Sequence, residues 1–300
     1  MSRLSFTLND SNKIPWLAFG TGTALYTKEA KKEVIQAISH GITHLDGAQV
    51  YGNEASIGDA IAESGVPRSS LFVTTKLWDV PAGKTVRDTL VESLRKLKVD
   101  YVDLFLIHNP QLHPDLKSVW KQLEELKKEG LSKSIGVSNF RIKDLEVILP
   151  GAEILPSVNQ IEYHPYVFKA SKPLIDFLKK HTIVPTSYGG LTPVNRFKGG
   201  PLDPVLEKIA KRLGETRGKP VTSGQVLQVW LRQQGVPAIT TTSKAERLLE
   251  YLDVETIPDL TSEEVKEIEE TGSEVHHRVF VRTSRSDSRL VTNLNCYVHR

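Results

Sequence analysis

Acidic, basic and phenolic side chains recur in this sequence just after short apolar runs. The segment HLDGAQVYGNE places Asp46 and Tyr51 five residues apart. Lys76 closes the run FVTTK, and His108 closes the run VDLFLIH. A phenol with an ordinary pKa of about 10 is a weak acid at neutral pH, and a nearby ammonium favours its ionised form. Lys76 could supply that ammonium, and a carboxylate such as Asp46 would keep it charged.

His108 adds a third function to this group, because an imidazole can donate a hydrogen bond to a carbonyl oxygen or relay a proton. Together the four side chains could protonate an oxygen while another group delivers a hydride. The strand ends carry no metal-ligand cluster, no GxSxG motif and no reactive cysteine. A cofactor is therefore expected to carry the hydride.

The elements that must position these residues alternate between short aliphatic runs and stretches of helical periodicity. This alternation, without a linker, predicts a parallel sheet. A closed (β/α)₈ TIM barrel of about 250 residues fits 300 residues better than two domains. The predicted strands are Trp16–Gly20, Ile42–Asp46, Leu71–Lys76, Tyr101–His108, Ser132–Val137, Ser157–Gln160, Ile183–Tyr188 and Pro237–Thr241.

The predicted helices have apolar residues on one face, and Pro114, Pro173 and Pro220 stand where helices are expected to start. They span about 28–40, 53–64, 84–98, 115–129, 141–149, 170–181, 222–234 and 244–252. Leu4–Leu8 and Lys13–Trp16 predict an N-terminal hairpin. One barrel domain is expected over residues 1–282, followed by a C-terminal extension, 283–300, that shows no periodicity.

In a TIM barrel, catalytic residues gather at the C-terminal ends of the strands. A single polar residue after an apolar run usually caps or solvates a loop. Here six predicted strands end in such residues, which makes a shared site at one mouth the better interpretation. The residues are Asp46, Lys76, His108, Ser138 with Asn139, Asn159 with Gln160, and Tyr188.

Composition excludes several classes of protein. Hydrophobic residues make up 39% and charged residues 25% of the chain, as in ordinary globular proteins. A net charge of +3 is too small to indicate a nucleic-acid partner. No apolar stretch predicts a membrane span, and the single cysteine, Cys296, cannot form an internal disulfide. A reducing, cytoplasmic location is the default expectation.

Five segments in this order resemble the signature blocks of the aldo-keto reductases: LDGAQVYGNE, TTKLW, DLFLIHNP, GVSNF and VNQIEYHP. The resemblance covers about residues 5–280. It implies a (β/α)₈ barrel that reduces carbonyls reversibly with NADPH. It also implies that Tyr51 is the proton donor, that Lys76 and Asp46 tune it, and that His108 orients the carbonyl.

The same resemblance assigns cofactor and substrate contacts. Ser138, Asn139 and Gln160 would bind the nicotinamide carboxamide, and Tyr188 would stack on the nicotinamide ring. Gly22, Thr23 and Ala24, within FGTGTAL, would lie beside the cofactor. Substrate would meet Tyr51, His108, Trp78 and Asn109, the last standing where many relatives have tryptophan.

The cofactor phosphates are expected after strands seven and eight, because the chain has no GxGxxG motif and helix N-termini there offer free N–H groups. After strand seven, the loop Gly189–Pro201 carries the predicted contacts Gly190, Leu191, Asn195, Arg196 and Lys198. After strand eight, TTTSKAER carries hydroxyls and two cations that suit the 2′-phosphate of NADPH. Its predicted contacts are Thr241, Thr242, Ser243, Lys244 and Arg247.

This second segment departs from the usual text of the family, IPKS followed by an arginine and, four residues later, an asparagine. Thr241 and Thr242 stand at the lysine and serine positions, and Tyr251 at the asparagine position. Arg247 is retained, and Lys244 could replace the missing lysine. An ordinary helix start with a solvated lysine and arginine is the alternative interpretation.

Three functions remain open from the sequence. The favoured one is an NADPH-dependent reductase of small carbonyls. The sequence is most similar to fungal reductases of conjugated polyketones and α-dicarbonyls, such as isatin-like diketones and ketopantoyl lactone. An aldose- or xylose-type sugar reductase is the alternative within this function. The second is a regulatory barrel that binds NADPH without turnover. A barrel hydrolase or lyase would require paired carboxylates or a metal cluster, and no metal site is predicted. The expected partner is a small carbonyl substrate, and the expected assembly is a monomer or weak homodimer.

Overall fold

Eight parallel strands close into a barrel in the computed structural model, which describes residues 4–280. The order around the barrel follows the chain, so that the last strand pairs with both the first and the seventh. The strands are β3 (Leu17–Gly20), β4 (His44–Asp46), β5 (Phe72–Leu77), β6 (Val102–Ile107), β7 (Ser132–Ser138), β8 (Val158–Glu162), β9 (Val184–Tyr188) and β10 (Ala238–Thr240). The predicted TIM barrel is confirmed, whereas the predicted extension, 283–300, lies outside the described residues.

The N-terminal hairpin consists of β1 (Ser5–Thr7) and β2 (Lys13–Pro15), with Phe6 opposite Ile14. Ile14 and Leu8 are buried in a cluster with Phe72 and Val158, the first residues of their strands. The hairpin therefore covers the N-terminal end of the barrel. The opposite end, where the predicted catalytic residues lie, is left for the site.

The helices surround the barrel and bury their apolar faces against it. Their bounds are α1 (Lys31–Ser39), α2 (Glu54–Glu63), α3 (Val86–Leu97), α4 (Leu116–Lys128), α5 (Ile142–Ile148), α6 (Pro165–Lys180), α7 (Thr192–Asn195), α8 (Leu202–Arg217), α9 (Ser223–Gln233), α10 (Ala245–Asp253) and α11 (Ser262–Gly272). Within residues 4–280, no helix is long and apolar enough to cross a membrane.

Some details of the helix prediction are wrong. Pro173 does not start a helix but lies inside α6. This helix begins earlier, at Pro165, a position in the first turn where proline is tolerated. Helix α8 was not predicted, although Leu202, Leu206, Ile209 and Leu213 repeat at helical spacing and are buried. It follows the loop after β9, where the regular alternation of strand and helix gives no signal for an extra helix.

Candidate active site

The four predicted catalytic residues converge at the C-terminal mouth of the barrel. Asp46 is the last residue of β4, Lys76 the penultimate residue of β5, and His108 follows β6 directly. Tyr51 closes a short 3₁₀ turn, 49–51, after β4. Because neighbouring parallel strands end at the same edge, the side chains of β4 to β6 meet there, as the sequence predicted.

Asp46 and Lys76 form a buried ion pair at the base of the mouth. Lys76 Nζ donates to Asp46 Oδ1 at 2.6 Å and to the carbonyl of Gly47 at 2.8 Å. The exposed fractions of the two side chains are 0% for Lys76 and 3% for Asp46. Burial lowers the pKa of Lys76, while the charge and hydrogen bond of Asp46 act in the opposite direction. The carboxylate is thus what keeps an ammonium in this dry position.

The Tyr51 ring lies between Lys76 and His108. Lys76 Nζ is 5.1 Å from the ring centroid, and the His108 ring meets Tyr51 edge-on with centroids 5.5 Å apart. Gly22 makes this placement possible, because a Cβ there would lie 2.4 Å from Tyr51 Cζ. Any larger residue at position 22 would displace the phenol from the mouth.

Burial and the charge of Asp46 raise the pKa of Tyr51 well above 10. This corrects the expectation that Lys76 would favour the phenolate. The physical reason is that desolvation penalises the phenolate. The ammonium of Lys76 stabilises the phenolate by less than this penalty, because Asp46 already neutralises its charge. Tyr51 is therefore a protonated phenol throughout the neutral range.

His108 is neutral for a related reason. Burial lowers its pKa well below 6.5, and the positive charge of Lys76 lowers it further. Its backbone carbonyl accepts from Asn139 Nδ2 at 3.0 Å, and the Trp78 ring lies edge-on at 5.3 Å. A neutral imidazole has one N–H to donate and one nitrogen to accept. His108 can thus hold an oxygen without carrying a charge.

Beside this group, the predicted carboxamide contacts form a connected network. Gln160 Nε2 donates to Asp46 Oδ2 at 2.9 Å, and Ser138 Oγ donates to the Gln160 carbonyl at 2.9 Å. Asn139, whose φ of 63° suits an asparagine, accepts from the Tyr188 hydroxyl at 2.7 Å. This hydrogen bond holds the hydroxyl of Tyr188, a residue at the end of β9 that lines the cavity.

A cavity of about 920 Å³ opens above these residues, at the upper end of the ~300–1,000 Å³ typical of small-molecule and cofactor sites. Lys76 does not line it but lies behind Tyr51. The predicted site residues that do line it are Gly22, Thr23, Ala24, Asp46, Tyr51, Trp78, His108, Asn109, Ser138, Asn139, Gln160, Tyr188, Gly190, Leu191 and Thr241, together with Asn195 and Arg196.

The structure does not bring the rest of the predicted phosphate contacts to the cavity wall. These are Lys198 in the loop after β9 and, after Thr241, the residues Thr242, Ser243, Lys244 and Arg247. The latter run along the exposed start of α10, where Arg247 already pairs with Glu250 at 3.2 Å. Their role towards a 2′-phosphate stays a prediction.

Several lining residues were not predicted, including Val50, Gln228, Leu231, Val279 and Phe280. Gln228 is the most informative of them. It is 1% exposed, and both polar atoms of its amide lack a hydrogen-bond partner within residues 4–280. The hydroxyl of Thr192, the first residue of α7, is likewise buried and without a partner in the described part of the chain. A wall with unpaired amide and hydroxyl groups fits a polar ligand such as a dinucleotide.

The sequence offered little signal for these residues. Gln228 and Leu231 belong to α9, most of whose side chains are buried, so periodicity alone does not separate the cavity wall from the core. Among residues 4–280, no group of three or more His, Cys, Asp or Glu side chains could hold a metal ion.

This chain is similar to known reductases over most of its length. Residues 16–272 match the model of the Aldo/keto reductase family. The chain is 39% identical to an NAD/NADP-dependent indole-3-acetaldehyde reductase of Schizosaccharomyces pombe, covering 90% of this chain and 96% of that protein. It is 34% identical to an NADPH-dependent alpha-keto amide reductase of Saccharomyces cerevisiae, over 90% of this chain and 91% of that protein.

A solved structure is similar to this chain in both fold and sequence. The crystal structure of a Bombyx mori aldo-keto reductase in complex with NADP matches with a TM-score of 0.80 and 33% identity, covering 94% of this chain and 96% of that one. The cofactors named for these relatives agree with the predicted NADPH. With its closed barrel and its Asp46, Tyr51, Lys76 and His108 at one mouth, this chain belongs to the aldo/keto reductase family and is an oxidoreductase.

Proposed function

We propose that this protein reduces small carbonyl compounds to alcohols with NADPH, and that α-dicarbonyls and conjugated polyketones are its preferred substrates. One observation carries the reduction step. A protonated phenol, Tyr51, lies at the cavity wall between a buried ammonium, Lys76, and a neutral imidazole, His108. This is the arrangement that protonation of a developing alkoxide requires.

Each residue has a defined part in the step. NADPH supplies the hydride when it is bound. His108 holds the carbonyl oxygen through its N–H, and Tyr51 donates its phenolic proton to that oxygen as negative charge develops there. Lys76 then stabilises the phenolate that remains, and Asp46 keeps Lys76 charged. Acid assistance of this kind is typically worth about 10²–10⁴-fold in rate.

The residues that would hold NADPH are those of the network beside this group. Gln160 and Ser138 offer oxygens to the carboxamide, and the Tyr188 ring offers a stacking face for the nicotinamide. Gly190 and Leu191 bring main chain close to the pyrophosphate, with the guanidinium of Arg196 nearby on the same wall. The cations Lys244 and Arg247 remain the proposed contacts to the 2′-phosphate.

The preference for α-dicarbonyls rests on the wall that faces the substrate. Asn109 presents a small amide beside Trp78 and His108, where a larger side chain would narrow the cavity. A second carbonyl next to the reacting one could accept a hydrogen bond there. Two relatives named for substrates with adjacent carbonyl groups support this choice. They are the alpha-keto amide reductase and a glyoxal reductase of Bacillus subtilis that is 36% identical.

The test is loss of NADPH absorbance with a panel of carbonyls: isatin-like diketones, ketopantoyl lactone, glyoxal, indole-3-acetaldehyde, aromatic aldehydes and aldoses. We expect the highest kcat/KM with the diketones. Faster turnover of xylose or glucose would instead indicate a sugar reductase. Tight NADPH binding without turnover of any carbonyl would indicate the regulatory barrel. A cytoplasmic location and a monomer or weak homodimer stay predictions.

A further inference from the structure

Glu162, at the end of β8, has a buried carboxylate that the proposed chemistry does not use. It lies two residues after Gln160, so both side chains leave the strand on the same face. The exposed fraction of the Glu162 side chain is 0%. A buried carboxylate is costly unless its oxygens are hydrogen-bonded, so its partners indicate what it does.

Both oxygens of Glu162 bind main-chain amides of the residues that follow α11. Oε1 accepts from Val279 N at 2.7 Å, and Oε2 accepts from Phe280 N at 3.1 Å. We call this pair of hydrogen bonds the Glu162 clip. His164 Nε2 approaches Oε1 at 3.2 Å, and the Arg278 guanidinium lies 3.7 Å from Oε2.

These contacts favour a charged Glu162. Burial by itself raises the pKa of its carboxyl, but hydrogen bonds from His164, Val279 and Phe280 outweigh that effect, and the pKa lies below its ordinary value. A carboxylate with one amide on each oxygen is a rigid acceptor for two successive residues. The clip therefore fixes the main chain at Val279 and Phe280.

The main chain held by the clip carries the ring of Phe280, which contacts two other residues of the cavity wall. The ring meets Tyr188 edge-on, with centroids 5.2 Å apart and planes at 86°. The guanidinium of Arg196 lies 5.5 Å above the same ring. Gly189 lies next to both Phe280 and Glu162, and its φ of +69° is a backbone conformation that favours glycine. Both Val279 and Phe280 line the cavity.

Tyr188 is thus supported on two sides. Its hydroxyl is held by Asn139, and its ring edge or face is held by Phe280. Edge-to-face pairs of this kind contribute beyond the area that they bury. Loss of the clip would free Phe280 to move and would weaken the ring contact that Phe280 makes with Tyr188.

We propose that Glu162 is a positioning residue for the nicotinamide cofactor, acting through the amides of Val279 and Phe280 on the ring of Tyr188. The inference rests on the proposed stacking of nicotinamide on Tyr188. It assigns to one strand, β8, two separate tasks. Gln160 contacts the reacting end of the cavity, and Glu162 holds the segment 276–280 against the cofactor side.

The first experiment measures the clip without any ligand. Hydrogen exchange of a peptide that covers 274–280 is compared between the wild type, Glu162→Gln and Glu162→Asp. The glutamine has only one oxygen and turns an amino group towards one of the two N–H groups, and the aspartate is one methylene too short to reach both. We expect exchange in this peptide to accelerate about tenfold or more in both variants, since a hydrogen bond to a charged acceptor is lost.

Asp176→Asn is the matched control, because Asp176 is an exposed carboxylate of α6 that pairs with Lys172 at 2.8 Å. We expect it to leave exchange in 274–280 unchanged. Equal exchange in the wild type and both Glu162 variants would overturn the clip.

The second experiment tests the link to Tyr188 through a double-mutant cycle on NADPH affinity, measured by fluorescence titration without substrate. Glu162→Gln and Phe280→Ala should each weaken NADPH binding about two- to tenfold. Combined, they should weaken it no more than Phe280→Ala alone, because Glu162 acts through Phe280. Effects that add would overturn the inference. If NADPH binds in this way but no carbonyl is reduced, the proposed function fails while the inference stands.

Discussion

Lys76 directs its ammonium at the ring of Tyr51, with Nζ 5.1 Å from the ring centroid, although the two residues belong to successive βα units. The ammonium does not make Tyr51 a phenolate in the resting site, because burial and the Asp46 charge raise the pKa of the phenol. Its proposed effect comes after proton transfer, when the phenolate that forms finds a fixed positive charge behind it. The relationship predicts how each partner should respond to substitution.

Tyr51→Phe removes the phenolic hydroxyl, which is the proposed proton donor, and keeps the aromatic ring. We expect kcat for carbonyl reduction to fall by about 10²–10⁴-fold, because the acid assistance is lost. NADPH binding, measured by fluorescence titration, should be nearly unchanged. Tyr26→Phe is the control, since Tyr26 lines the same cavity and meets Tyr51 edge-on at 6.0 Å. Equal activity of the two variants would remove Tyr51 from its role.

Lys76→Met should lower the stability of the fold as well as the rate of carbonyl reduction. It leaves the Asp46 carboxylate buried without its partner, which typically costs about 3–5 kcal/mol in the free energy of unfolding. Urea denaturation measures this cost. The double variant Asp46→Asn with Lys76→Met should recover much of it, because no uncompensated charge remains. A single variant as stable as the wild type would contradict the buried ion pair.

His44 should make the protein less stable in acid. Burial lowers its pKa to about 4, although Asp46 and the Pro15 carbonyl act to raise it. An unfolded histidine has a pKa of about 6.5, so between these values the unfolded state binds more protons. Stability is therefore lost as the pH falls from about 6.5 to about 4, by about 3 kcal/mol from this residue.

The matching variant is His44→Gln, which can keep the hydrogen bond to Thr74 Oγ1, now at 2.9 Å, but does not titrate. Urea midpoints measured between pH 7 and pH 4 should fall less steeply in the variant than in the wild type. Parallel slopes would show that His44 is not the titrating group.

The double variant Lys244→Ala with Arg247→Ala tests the proposed contact to the 2′-phosphate. It should raise KM for NADPH far more than KM for NADH, because only NADPH carries that charge. The effect requires Arg247 to exchange its ion pair with Glu250 for one with the phosphate. Lys172→Ala, on the outer face of α6, is the control for general loss of charge. Equal changes for the two cofactors would place the 2′-phosphate elsewhere.

Local signals account for much of the site. Apolar runs that end in Asp46, Lys76 and His108 predict both the strands and the mouth, because strand polarity and barrel closure bring such ends together. Asn53 and Glu54 show the limit of this reasoning. Glu54 begins α2 and Asn53 directly precedes it, close to the expected start. Glu54 is also buried and accepts from Thr75 Oγ1 at 2.6 Å, while Asn53 Nδ2 donates to the carbonyl of Leu25 at 2.8 Å.

The sequence by itself therefore determined the order of the eight barrel strands, the edge at which the polar strand ends gather, and the residues of the proposed proton-transfer group. Only the tertiary structure decided the protonated state of Tyr51, since burial has no local signal. It also decided the cavity wall formed by Gln228 and the Glu162 clip, whose partners are 117 and 118 residues apart. Contacts over such separations depend on how the whole barrel closes and packs, whereas periodicity and strand ends are read over a few residues.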